Sequence, residues 1–151
     1  MTGFKVKRLI KATPSAIFAV LADPQGHLLI DSSGTLQSVH GTRLRKAGDS
    51  FTAHIDRASL GDRETEPCDV TVTITRFEQD ALIEWTVAPL GQPPVQHLFG
   101  YQLEPAAAGT EVTSYHDWSH ALDEVRRQGV FPLIPEATLQ ATLGILSRTV
   151  V

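Results

Sequence analysis

Only one stretch of this chain carries apolar residues at helical spacing over several turns, and it comes last. Leu139, Leu143, Leu146 and Val150 recur at intervals of four, three and four, the stripe of an amphipathic helix, and Pro135-Glu136 supplies a start for it. Ahead of it, from residue 35 to residue 119, lies a succession of short alternating segments. The clearest is 68–77, where Val70, Val72 and Ile74 point one way and Thr71, Thr73 and Thr75 the other, on a β-branched background suited to a half-buried pleated surface. Many strands with one face to cover, and one helix to cover them, leave few arrangements. A strongly curved antiparallel sheet of about seven strands, wrapped around the C-terminal helix, satisfies the pattern. The gap between a curved sheet and a single helix is a natural ligand site.

The remaining segments fill in this α+β scheme. Residues 4–10 alternate Phe4, Val6 and Ile10 with basic neighbours and read as a first strand. Thr13 is a natural N-cap, with Pro14 at the first helical position, for a short helix presenting Ile17, Phe18 and Leu21. Asp23-Pro24 ends that helix and opens a second one through His27, Leu28, Leu29 and Ile30. Strands are expected at 35–40, 50–57, 68–77, 81–88, 95–103 and 111–118. They are joined by turns such as Gln79-Asp80 and the proline-rich stretch 89–94. A further helical turn is expected at 121–127. With no internal repeat or change of composition, residues 1–151 read as one domain.

Charge and cysteine content narrow the function classes. The net charge is −4, from 13 basic and 17 acidic residues, which disfavours a nucleic-acid binder. The basic clusters Lys5/Lys7/Arg8/Lys11 and Arg43/Arg45/Lys46 read as a solvated strand face and a charged turn. Cys68 is the single cysteine, so no internal disulfide forms. The N-terminal residues carry no apolar leader, and no run approaches the ~18 apolar residues of a membrane span, so cytoplasm is the expected compartment. His116 and His120 lie four apart, but at a strand end and with no third ligand at a recognisable spacing. Neither a metal nor any other cofactor is expected.

Several motifs resemble, in order and spacing, one superfamily. Residues Ala12-Thr13-Pro14-Ser15 through Asp23-Pro24, Gly48-Asp49-Ser50-Phe51, Ala81 to Trp85, Tyr101 to Pro105 and Gly109 to Thr113 are similar to the START-like (SRPBCC) proteins. Within them the chain resembles the polyketide cyclase/dehydrase and lipid transport group. The resemblance implies the helix-grip fold, a curved sheet around a long C-terminal helix with two short helices after strand 1. It implies no particular reaction, because lipid carriers, cyclases and co-chaperones share this fold. The iron–sulfur motif of the hydroxylase branch is absent, since Cys68 stands alone.

Alternation also nominates site residues. One face of 95–103 would carry His97, Phe99 and Tyr101, and one face of 111–118 would carry Ser114 and His116, all turned toward the helix. Arg57 would share a strand face with Phe51, Ala53 and Ile55 and could anchor a carboxylate or phenolate. The competing reading is a charged strand end in solvent. Trp85 is either core or a ligand platform. His27 and Asp31 belong to the second short helix at the expected cavity mouth, where Asp31 could instead cap the turn Ser32-Ser33-Gly34. No catalytic constellation is identifiable. The leading function is therefore binding or transport of a hydrophobic small organic ligand. The alternatives are a polyketide-like cyclase/dehydratase using a cavity His or Tyr as acid/base, and a co-chaperone-like interaction module. Nothing in the sequence forbids a homodimer through a strand edge.

Overall fold

The computed structural model describes residues 1–62 and 65–151. The elements are β1 (Gly3–Ile10), α1 (Pro14–Leu21), α2 (Pro24–Ile30), β2 (Leu36–His40) and β3 (Ser50–Ile55), then a single 3-10 turn at Arg57–Ser59. They continue with β4 (Cys68–Glu78), β5 (Leu82–Pro89), β6 (Leu98–Ala106), β7 (Gly109–Asp117), α3 (Asp123–Arg127) and α4 (Glu136–Val150). Seven strands form one antiparallel sheet in the order β1-β7-β6-β5-β4-β3-β2. Strands β2 to β7 are a meander, and β1 closes the far edge by pairing with β7. Register shifts between Leu36 and Ser38 and between Ile74 and Arg76 bend the sheet, as bulges do.

Local chemistry sets the two short helices. Thr13 Oγ1 accepts the Ala16 N–H at 3.2 Å and Asp23 Oδ1 accepts the Gln25 N–H at 3.0 Å, each just ahead of a proline at the first helical position. The step from α1 to α2 is so tight that a Cβ on Gly26 would stand 1.9 Å from the Val20 carbonyl oxygen. Only glycine fits there. Ile17, Phe18 and Leu21 turn inward from α1 and are wholly buried. Leu139, Leu143 and Leu146 do the same from α4, each contributing about 1.5–3 kcal/mol by leaving water.

The placement of α4 decides where the interior stays open. It packs on β1 and β7 and against α1 and α2. The Ser32 hydroxyl donates to the Thr138 carbonyl at 2.8 Å, and the Ser32 N–H donates to Thr142 Oγ1 at 3.3 Å, tying the end of α2 to the helix. The concave faces of β2 to β6 are left partly uncovered. Among the described residues, no helix is long and apolar enough to cross a membrane.

Several boundaries differ from the sequence reading by one to three residues, and two of them bear on the site. The strand expected at 95–103 begins at Leu98, because Gln96 takes a left-handed backbone (φ 66) that breaks the pleat. The strand expected at 50–57 stops at Ile55, where Asp56 Oδ1 accepts the Ala58 N–H at 2.9 Å and starts the 3-10 turn. Arg57 therefore leaves the face of Phe51 and Ala53.

Candidate functional site

Two chambers occupy the space between the sheet and the C-terminal segments. The inner one, about 150 Å³, lies between α2, α4 and the middle strands. His27, Asp31, Trp85, Phe99 and Tyr101 line it, with Phe51, Val70, Val72 and Val87 from the sheet and Thr138, Leu139 and Thr142 from α4. The His27 ring stands between Phe51 and Trp85, at centroid distances of 5.5 and 4.9 Å. Its Nε2–H donates to the Leu21 carbonyl at 2.8 Å. Burial lowers its pKa against the opposing pull of that carbonyl and of Asp23, so the ring is neutral at pH 7.

Asp31 caps the turn that follows α2. Its Oδ1 accepts from the Ser33 N–H and hydroxyl at 3.0 and 2.7 Å, and its Oδ2 accepts from the Leu36 N–H at 3.2 Å. The phenol of Tyr101 faces Ser114 across the β6–β7 pair. Burial raises its pKa, Asp31 adds to the rise, and the Ser114 hydroxyl opposes it. Tyr101 remains a protonated hydroxyl at any physiological pH.

The outer chamber is larger, about 420 Å³. It shares Thr35, Ile55, Val70, Val87 and Phe99 with the inner one, so Phe99 is a wall of both. Val125, Val130, Phe131 and Leu133 roof it, and Arg57 and His97 stand among its polar lining residues with Thr35, Glu66 and Gln128. His97 is 2% exposed, its ring 5.7 Å from Phe99 and from Phe131, and neither Nδ1 nor Nε2 has a hydrogen-bond partner among the described residues. Burial, helped by the neighbouring His116, holds its pKa down at about 4. At Arg57, Nη2 pairs with Asp62 at 2.6 Å, while the buried Nε has no partner among the described residues.

Ser114 and His116 line neither chamber. His116 is fully enclosed, stacked on Phe99 at 4.0 Å with the rings 2° from parallel. Its Nδ1–H donates to the Leu98 carbonyl at 3.0 Å and its Nε2 accepts the Leu133 N–H at 3.2 Å, which fixes the neutral tautomer. Burial lowers its pKa to about 4 against the Leu98 bond and Asp117. Both ring nitrogens are used, and their role is to fasten the roof. Sequence reasoning missed the roof itself and the α4 lining. Thr138 and Thr142, polar residues one turn apart beside Leu139, were the available signal for the latter. Among the described residues, no three His, Cys, Asp or Glu side chains gather as a metal site.

A curved antiparallel sheet gripping one C-terminal helix, with an apolar cavity between them, defines a helix-grip protein of α+β class. The chain belongs to the SRPBCC family described as Polyketide cyclase / dehydrase and lipid transport, whose model matches residues 1–150. Solved structures agree on the fold. A protein of Chromobacterium violaceum superposes with TM-score 0.68 at 14% identity, over 99% of this chain and 96% of that one. A Rhodobacter sphaeroides protein gives 0.67 at 16%, over 98% and 91%. The Aha1 dimer from Colwellia psychrerythraea gives 0.63 at 16%, over 99% and 96%. No curated protein matches the chain by sequence.

Proposed function

We propose that the protein binds a hydrophobic small organic molecule between the sheet and the C-terminal segments, as a carrier or receptor for it. The observation that carries this reading is the mainly apolar chamber of about 420 Å³ walled by Val87, Phe99, Phe131 and Leu133, beside which His97 stands with two buried ring nitrogens that no described residue satisfies. Buried polar groups are nearly always hydrogen-bonded. A mainly apolar chamber with a few convergent polar groups is how small ligands are held and oriented.

The cyclase/dehydratase reading receives less support from the same residues. Acid–base catalysis works best with a pKa near the working pH. His97 lies at about 4, the Tyr101 phenol is pushed well above neutrality, and His116 has both nitrogens occupied. A co-chaperone-like module needs an exposed docking surface rather than an interior chamber. The description of one neighbour as a dimer makes a second copy a further candidate partner, readable by light scattering.

The test combines native mass spectrometry with a binding titration. A passenger lost on denaturation, or saturable binding of the uncharged dye N-phenyl-1-naphthylamine, is the expected result. Val87 walls both chambers, so Val87→Phe should weaken that binding by about tenfold or more. No passenger together with no saturable dye binding would reject the reading.

A further inference from the structure

The roof of the outer chamber is fastened to the sheet by a bond that acid can undo. The Leu133 N–H donates to His116 Nε2 at 3.2 Å. The other ring nitrogen is already committed, because its N–H donates to the Leu98 carbonyl at 3.0 Å. Nε2 therefore accepts from the roof only while the ring is neutral. A proton there turns the acceptor into a donor that faces another N–H, and the bond is lost. Two residues earlier in the chain, Phe131 walls the outer chamber on one side. On its other side it walls an exterior cleft lined by Trp118, Arg126 and Gly129. The Phe131 ring stacks on Trp118 at 5.9 Å, 10° from parallel. Lifting the segment that Leu133 holds down carries this partition away and joins the chamber to the cleft.

We infer that the roof segment 130–133 is an acid-released gate, latched through the Leu133 N–H on the His116 ring, by which the outer chamber exchanges its contents with the exterior cleft. The surroundings of His116 make the neutral ring the closed form. Phe99 stacks on it at 4.0 Å, and Phe4 of β1, Trp118 and Phe131 lie at 5.8, 4.9 and 6.2 Å, none of them charged. Among the described residues, the titratable groups that bear on it are two. Asp117, the next residue on β7, favours the proton, and His97, with its ring 6.2 Å away, opposes it when charged. Burial outweighs Asp117 and holds the His116 pKa down at about 4, against an ordinary 6.5. Once the roof lifts, water reaches the ring and the burial penalty fades. The latch is therefore at full strength above pH 6.5 and weakens as the pH falls toward 4. Between pH 7 and pH 5 this one group moves the balance toward the open roof by up to about twentyfold. The gate rests on the chamber being a ligand site, whereas the latch can be measured without any ligand.

Hydrogen exchange of the full chain tests the latch, read by mass spectrometry on a peptide covering 128–135 and corrected for the intrinsic effect of pH on exchange. Protection of this peptide should fall by about tenfold or more from pH 7 to pH 5, while β4 stays protected. His116→Gln keeps a side-chain carbonyl to accept from Leu133 but takes up no proton. Its roof should be protected at pH 7 and should hold that protection at pH 5 to within about threefold. In His116→Phe the roof should be poorly protected at both. The gate is read by stopped-flow dissociation of N-phenyl-1-naphthylamine, which should quicken at pH 5 by a factor similar to the loss of protection in the wild type and stay unchanged in His116→Gln. A roof unprotected at pH 7, protection that does not fall in acid, an equal fall in His116→Gln, or a dye off-rate indifferent to pH would each overturn the inference while leaving hydrophobic binding intact. No saturable dye binding at either pH would instead remove the ligand-site reading, and with it the gate, even where exchange shows the latch.

Discussion

Replacing His97 by leucine should make the protein more stable, and increasingly so in acid. At pH 7 the change removes two buried ring nitrogens that have no partner among the described residues, an expected gain of about 1–3 kcal/mol. The acid effect follows from linkage. The folded-state pKa is about 4 against an ordinary 6.5, so between those values the unfolded chain binds a proton that the folded protein refuses. Wild-type stability from this group is complete above pH 6.5 and is lost as the pH falls toward 4. At pH 5 the loss from His97 is about 2 kcal/mol, and the leucine variant escapes it. The variant's advantage should thus grow to about 3–5 kcal/mol at pH 5. His116 titrates in both proteins and largely cancels from the comparison. Urea unfolding followed by circular dichroism at pH 7 and pH 5 reads the difference. A variant no more stable than wild type at pH 7, or an advantage that does not grow in acid, would refute the argument.

Two further substitutions probe the frame around the site. His116→Phe keeps the stack on Phe99 but loses the bonds to the Leu98 carbonyl and the Leu133 N–H, so it should cost about 2–4 kcal/mol in thermal or urea unfolding. It should also speed limited proteolysis within 122–133, and unchanged cleavage would show that the roof is held by other contacts. Gly26→Ala drives a Cβ into the Val20 carbonyl and should destabilise by about 2 kcal/mol or more, whereas an unchanged melting temperature would mean that the α1–α2 step can widen.

The elements were legible where local chemistry decides them. The β-branched alternation of β4, the Thr13-Pro14 and Asp23-Pro24 caps and the leucine stripe of α4 all act within a few residues, and the structure contains each of them. Legibility faded where the answer depends on depth along a strand. Period two assigns a side chain to a face of the sheet but does not say what lies above it. Ser114 and His116 face inward as expected, yet packed segments cover them, while Tyr101 on the neighbouring strand opens onto the inner chamber. His97 reached the outer chamber by another route, since its strand begins only at Leu98 and the left-handed Gln96 turns the chain beforehand. Arg57 likewise lines the chamber from a 3-10 turn rather than from β3. The roof left no periodic signal, because 128–135 is irregular backbone held by tertiary contacts such as the stacking of Phe131 on Trp118.

The pairing of β1 with β7 has a kinetic consequence. Gly3 lies opposite Asp117, and α4 packs across both strands, so β1 is made well before the strand and helix it joins. The meander from β2 to β7 can form as the chain emerges, each strand meeting the one before it. During that time β1 has no strand to join, the β7 edge is open, and the apolar faces of α1 and the sheet await α4. Folding to completion is then a late, long-range event, slow in proportion to the loop that must close. The interval before it is when a nascent chain is most exposed to misassociation. A truncation ending before Glu136 should therefore yield a sheet prone to aggregation rather than a smaller stable protein, because the core closes only with the final helix.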